Sequence, residues 1–178
     1  MVLEITSELQ FAGLVEVDIH LLNSIFDIKQ IAEESVELNL NLMKWRMAPD
    51  LNLAQIKNNK VLIIGAGTLG CNVSRILLGW GIKNISFIDS GSISYSNPVR
   101  QSLFNFNDTI NNYNKAEKAA EKLKEIFPSV NSKGYNIHIP YPGLGYFNEE
   151  SKNKILDNIE NIEKLIVDHD SIFLLTDS

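Results

Sequence analysis

The feature that most constrains this chain is a four-residue apolar run, Val61-Leu62-Ile63-Ile64, that stops abruptly at Gly65-Ala66-Gly67-Thr68-Leu69-Gly70. A continuous apolar run suits a strand buried on both faces, which parallel sheets produce and half-exposed antiparallel sheets do not. The Gly-x-Gly-x-x-Gly that follows then opens a helix, predicted over Thr68–Trp80 with Leu69, Val73, Ile76, Leu77 and Trp80 at helical spacing. That strand–turn–helix context is the one in which the glycines bind nucleotide phosphates. Gly65 permits the tight turn, Gly67 lets backbone approach a phosphate, and Gly70 lets the helix lie close to the strand. The helix start offers free N–H groups and partial positive charge to an anion. The alternative is a glycine turn with no ligand.

Further elements follow in alternation. Asn84–Ile88 reads as a strand, Lys115–Phe127 as a helix with Ala116, Ala119, Ala120, Leu123, Ile126 and Phe127 on one face, and Tyr135–Ile139 as a strand. Pro140–Gly145 is a turn-rich break. Ile155, Ile159, Ile162 and Ile166 mark another helix, and Ser171–Thr176 a last strand. A βαβ series predicts an α/β fold: a doubly wound, mostly parallel, Rossmann-like sheet of strand order 3-2-1-4. In that order the first and fourth strands meet at the topological switch point, so the segments after Ile64 and after Thr176 share one crevice. Ahead of the sheet, Ile28–Met47 reads as a helix with an imperfect stripe of Ile31, Val36, Leu40, Leu42 and Met43. Asp50–Lys60 reads as a short connection. The expected division is a helical extension over residues 1–59 and a nucleotide-binding unit over 60–178.

The crevice has several candidate ligands. Asp89 ends the second strand about twenty residues beyond the glycines, where this fold places the ribose-binding acid; a cap or turn role is the alternative. The long loop after it carries Ser96-Asn97-Pro98-Val99-Arg100-Gln101. Arg100 has the fork that grips phosphate oxygens, and Asn97 and Gln101 suit ribose or phosphate. A surface arginine beside an Asn-Pro turn is equally compatible with these residues. Lys115 begins a helix, where a cation opposes the helix dipole unless an anion lies nearby. It also reads as a solvated lysine alongside Lys118, Lys122 and Lys124. Asp177 ends the fourth strand and suits Mg²⁺ held against phosphates, or a turn. Asp168 and Asp170 lie at the wrong edge. Cys71 reads as a buried structural thiol. His20, His138 and His169 suggest no triad, and Trp45 and Trp80 read as packing residues.

Bulk properties narrow the field. Net charge is −6, from 16 Lys and Arg against 22 Asp and Glu, which leaves no basic surplus for general nucleic-acid binding. One cysteine excludes an intramolecular disulfide and a multi-cysteine zinc site, and points to an intracellular, cytoplasmic protein. No apolar run is long enough for a membrane span, and Met1–Gly13 lacks the basic start of a secretory signal.

Taken together, Gly65-Ala-Gly-Thr-Leu-Gly-Cys71, Asp89, Ser96-Asn-Pro-Val-Arg-Gln101, Lys115-Ala-Glu117 and Thr176-Asp177 resemble the ubiquitin-like-modifier activating enzymes and their bacterial sulfur-carrier-activating relatives. Leu38-Asn-Leu-Asn-Leu-Met-Lys-Trp-Arg46, Leu78-Gly-Trp-Gly-Ile82, Tyr95–Phe104 and Ala119–Pro128 are similar to the autophagy-related branch of that family. The resemblance spans roughly residues 30–178. It implies the first half of an adenylation domain that uses ATP and Mg²⁺ to activate the C-terminal glycine of a modifier. By motif position Asp89 meets the ribose. Asn97, Arg100, Gln101 and Lys115 meet the phosphates, Arg100 and Lys115 countering the charge that builds up, and Asp177 meets the metal. Implied partners are the modifier, a conjugating enzyme and a second copy of the chain. Family members carry more chain on both sides, including the thioester-forming cysteine. Cys71 matches a non-catalytic position, so the 178 residues read as part of a longer protein, and this part does not itself form the thioester. A nicotinamide-dependent dehydrogenase half-domain and a noncatalytic modifier-binding module are the rival readings.

Overall fold

The computed structural model describes residues 27–140 and 149–176. Its elements are α1 (Ile28–Met47), α2 (Leu53–Lys57), β1 (Lys60–Ile64), α3 (Thr68–Gly79), β2 (Asn84–Ile88), α4 (Phe106–Ile110), α5 (Lys115–Ile126), β3 (Asn131–Tyr135), α6 (Glu149–Asp168) and β4 (Ser171–Leu174). The four strands form one parallel sheet in the order β3-β2-β1-β4. The register sets Ile63 beside Phe87 and Phe173, and Phe87 beside Gly134.

Strand β1 is central, and Val61 to Ile64 are all buried, which explains why the apolar run does not alternate. On one face of the sheet Val61, Ile63, Ile85 and Phe87 meet Cys71 of α3 and Ala116, Ala119, Ala120 and Leu123 of α5. On the other face Leu62, Ile64 and Ile88 meet Ile162 and Leu165 of α6. Each such large side chain stabilises the fold by roughly 1.5–3 kcal/mol on burial.

Several expectations need correction. The third strand lies at Asn131–Tyr135, not Tyr135–Ile139. Tyr135, Ile137 and Ile139 all pack against Leu62, Ile64 and Ile88, but only Tyr135 is in the strand, and Ile137 and Ile139 follow its end. Pairing with β2 is made by the polar stretch before it, where Gly134 lets β3 touch α5. A Cβ on Gly134 would lie 2.2 Å from the Ala116 carbonyl oxygen. The connection at Asp50–Lys60 contains α2, capped by the Asn52 side chain, and the long loop contains α4.

Helix α3 lies on the sheet through Gly70, Cys71 and Ser74, so Leu69 and Ile76, both expected inside, are 61% exposed. Small residues let the helix axis approach, Leu77 and Leu78 pack at the margin of the core, and Leu69 and Ile76 turn outward. Helix α1 buries Leu40 alone, while Ile31, Leu42 and Met43 stand exposed. Trp45 is 78% exposed and Trp80 43%, so neither is a core residue. Helix α1 is tied to the body by ion pairs from Lys57 to Glu37 and, at 2.7 Å, from Lys83 to Glu33. Most of the break at Pro140–Gly145 lies outside the described residues.

The Gly134 contact yields a prediction. Gly134→Ala forces β3 away from α5 and costs about 3 kcal/mol or more, because the obstruction is backbone. Urea denaturation of the variant checks this, and an unchanged midpoint refutes it.

Candidate functional site

The glycine turn is shaped by its neighbours. Gly65 has φ +105°, and a Cβ there would lie 2.7 Å from the Leu175 carbonyl oxygen, so the chain just after β4 abuts the turn. Gly70 sits so close beneath it that a Cβ would lie 2.0 Å from the Gly65 carbonyl oxygen. Gly67 differs: nothing stands within 4 Å of its Cβ position. It is also the residue before α3, and no side chain caps that helix start. The open space and the uncapped N–H groups together make an anion cradle.

Asp89 follows β2 directly. Its Oδ2 accepts from the Ala66 N–H at 2.8 Å and its Oδ1 from the Gly91 N–H at 2.7 Å. The carboxylate therefore braces the glycine turn and the start of the loop. A carboxylate offers about four acceptor positions, so two remain for hydroxyl donors. Lys115 begins α5, and its backbone N–H donates to the Gly91 carbonyl at 2.9 Å. Its Nζ lies 3.6 Å from the Cβ position of Gly91, and Asp89 Oδ1 lies 3.0 Å from the same point. The lysine and the aspartate thus flank one glycine beside the cradle, as the strand order requires.

The loop contributes further groups. Asn97 is buried and its side-chain oxygen accepts from the Ser94 N–H at 3.0 Å, so it organises the loop's turn. Gln101 is buried, and its Oε1 has no hydrogen-bond partner among the described residues. Buried acceptors are nearly always satisfied by protein or ordered water, so this one has capacity for a further donor. Ser102 donates to Asn72 of α3 at 2.9 Å, which holds this end of the loop against the helix that the glycines open. Arg100 is exposed and uses one N–H toward the Ser96 carbonyl at 2.6 Å. Among the described residues neither Arg100 nor Lys115 takes part in a side-chain ion pair, so both positive charges are available to an anion. Asp177 lies outside the described residues, and no group of three potential metal-ligating side chains occurs within them.

One participant escaped sequence reasoning. Asn114 caps α5 by accepting from the Glu117 N–H at 3.1 Å, while its amide donates to the carbonyls of Asp89 at 2.9 Å and Gly91 at 3.2 Å. The sequence signal was an Asn three residues before a Glu at a helix start. Lys118 and Lys122, expected to be solvated, are instead largely covered.

Away from this edge, Lys60 and its backbone N–H engage Asp168 and Asp170, which keeps those acids at the opposite end of the sheet. A cavity of about 630 Å³ opens near that end, between Leu40, Arg75 and Phe127. No expected site residue lines it, and α/β sheets bind ligands at the carboxyl ends of their strands. No helix among the described residues is long and apolar enough to cross a membrane.

Cys71 is fully buried, with its Sγ 3.7 Å from the Ala66 carbonyl oxygen. Burial pushes its thiol from an ordinary 9.0 up to about 11, only partly offset by a backbone hydrogen bond from Leu103 and the charge of Lys115. The folded protein therefore holds this proton more tightly than the unfolded chain. The resulting stability is complete below pH 9 and is lost as pH rises toward 11. Denaturation midpoints at pH 8 to 11 for the native chain and Cys71→Ala should differ in slope across that window. Parallel curves would contradict the assignment.

Comparison with known proteins places this geometry. The ThiF family profile matches residues 38–178. The ubiquitin-like modifier-activating enzyme ATG7 of Saccharomyces cerevisiae is 54% identical over 157 residues, covering 88% of this chain and 24% of that protein. The enzyme of the same name from Debaryomyces hansenii is 51% identical over 161 residues, with the same coverage. The chain thus spans about a quarter of the length of these relatives. Among solved structures, Escherichia coli tRNA N6-threonylcarbamoyladenosine dehydratase in complex with ATP superposes with a TM-score of 0.57. The match covers 75% of this chain and 47% of that one at 20% identity, a likeness of fold.

Proposed function

The chain belongs to the ThiF family, and from that premise we propose that it binds ATP and adenylates the C-terminal glycine of a ubiquitin-like modifier serving autophagy. The observation that carries this reading is the placement of Lys115 and Asp89 on either side of Gly91, beside the uncapped start of α3. The free space over Gly67 and the uncapped start of α3 fit an anionic ligand there, and the orphan oxygen of Gln101 suits a donor such as a hydroxyl. The relatives are named ubiquitin-like modifier-activating enzymes, and the motif resemblance to the autophagy-related branch supplies the pathway.

In this reading Gly65, Gly67 and Gly70 shape the phosphate cradle and Asp89 accepts from the ribose hydroxyls. Asn97, Arg100, Gln101 and Lys115 surround the triphosphate. A carboxylate oxygen of the modifier attacks the α-phosphorus. The bond to the bridging oxygen breaks, and pyrophosphate leaves with the electron pair. Arg100 and Lys115 stabilise negative charge that grows in that step, as preformed cations in a partly dry site do best. Mg²⁺, assigned to Asp177 by motif position, supplies further charge neutralisation on the phosphates. Transfer to a conjugating enzyme needs an accessible thiolate, and Cys71 is neither accessible nor acidic.

The nucleotide-binding unit is taken as residues 60–178, with 1–59 as an extension, because the sheet begins at Lys60. Pairing of two copies is supported by the outward apolar residues Leu69, Ile76 and Trp80 of α3 and its end. The single buried cysteine suits the cytoplasm.

Fluorescence titration of the chain should show binding of ATP–Mg²⁺ in preference to NADH, and Lys115→Ala or Arg100→Ala should weaken it by about tenfold or more. Preference for NADH overturns the reading. In a chimera that places this segment in the full-length Saccharomyces cerevisiae relative, ATP–pyrophosphate exchange should depend on a ubiquitin-like protein and vanish in Asp177→Ala. Exchange that is absent altogether would leave a modifier-binding module without chemistry.

A further inference from the structure

We infer that the buried carboxylate of Asp108 is a positioning residue, clamping the loop that carries Asn97, Arg100 and Gln101 to the helix that carries Lys115. Its consequence for nucleotide binding rests on the ATP reading above; the clamp itself rests on geometry.

The loop from Asp89 to Asn114 needs such a device. Its two ends meet through a bridge between Ser92 and Asn114 and a 3.0 Å hydrogen bond from the Ile93 N–H to the Tyr113 carbonyl. Its middle is anchored by Leu103 and Phe104, which are buried in the core. What remains is α4, five residues long and far too short to persist alone. Asp108 holds it in two ways. Its Oδ2 accepts from the Asn105 N–H at 2.8 Å, closing a capping box with the Asn105 side chain. Its Oδ1 faces two ammonium groups of α5, Lys118 at 3.6 Å and Lys122 at 3.9 Å.

These charges are withdrawn from water. The Asp108 side chain is 5% exposed, Lys118 10% and Lys122 14%. Each lysine is also held by its own glutamate, Glu121 at 2.9 Å and Glu125 at 2.8 Å. Lys118 lies 4.6 Å from the centre of the Tyr113 ring. Burial opposes the charge on Lys118, but its hydrogen bond to Glu121 and the nearby carboxylates more than offset this and hold it protonated. A solvent-exposed pair would contribute little. Here the carboxylate and the two ammonium groups attract through a drier medium than water, so separating α4 from α5 gives up more than breaking an exposed pair would.

The grip and the proposed phosphate cation share one helix. Lys118 lies three residues after Lys115, one turn along α5. The same rigid element therefore fixes Lys115 beside Asp89 and fixes the far side of the Arg100 loop. Asp108 lies outside the hydrophobic cluster that stabilises the sheet. Cutting the clamp should therefore free the loop and leave the core.

The test uses Asp108→Asn in the 178-residue chain, which keeps the shape and capping ability and removes the charge. Amide hydrogen exchange over residues 105–112 should accelerate about tenfold, while β1 and β2 stay protected. The dissociation constant for ATP–Mg²⁺ should rise by about tenfold, with partial recovery in Asp108→Glu. Should Asp108→Asn fail to fold, Lys118→Met with Lys122→Met must give the same local pattern. Unchanged exchange in 105–112, or acceleration spread evenly through β1 and β2, overturns the clamp. Faster loop exchange with undiminished ATP affinity overturns its role in the site. If the native chain binds no ATP, the nucleotide reading falls, and the exchange measurement alone still decides whether Asp108 holds the loop.

Discussion

Everything at the carboxyl edge of this sheet depends on how closely α3 approaches β1. The backbone at Gly70 lies directly beneath the Gly65 carbonyl, with no room for a side chain. Leu175 crowds Gly65 from the other side. The turn is thereby squeezed into one shape, with Gly65 in a left-handed conformation and the start of α3 left open. Asp89 accepts a hydrogen bond from Ala66 within this turn, so the second strand takes its end point from the first. The open helix start over Gly67 is a consequence of packing, whatever ligand it meets.

The charged groups are arranged in two tiers. Arg100 and Lys115 carry positive charge that no side-chain carboxylate among the described residues pairs as a salt bridge, although Asp89 lies near Lys115. Lys118 and Lys122 are paired with carboxylates and nearly dry. The first tier suits a ligand, and the second suits a loop that has to be held still while a ligand is bound. Overall acidity is no obstacle, since the field at the cradle is set by groups within a few ångströms and by the end of α3.

Local patterns in the chain were good guides to element type and poor guides to facing. The Lys60–Ile64 and Asn84–Ile88 strands and the Ala-rich α5 face read directly from their residues, because burial on both faces or a regular stripe leaves an unmistakable trace. The buried side of α3 did not. Leu69, Ile76 and Trp80 carry the stronger apolar signal, yet Gly70, Cys71 and Ser74 make the contact, because small residues permit the close approach that the turn requires. The third strand hid for a similar reason: Asn131-Ser-Lys-Gly-Tyr135 has little strand character and is recruited by pairing with β2 and by the Gly134 contact.

Sequence alone determined the alternation of elements, the strand order that follows from right-handed crossovers, and the residue types able to meet a nucleotide. These are properties of short windows: periodicity, glycine spacing, and the chemistry of single side chains. Tertiary structure alone decided that Asp89 braces the glycine turn, that Gln101 is left with an orphan acceptor, and that Asp108 lies between two lysines. Each of those depends on segments ten to twenty or more residues apart being brought within hydrogen-bond or ion-pair reach. That reach is set by the depth at which helices seat on the sheet, which no local window encodes.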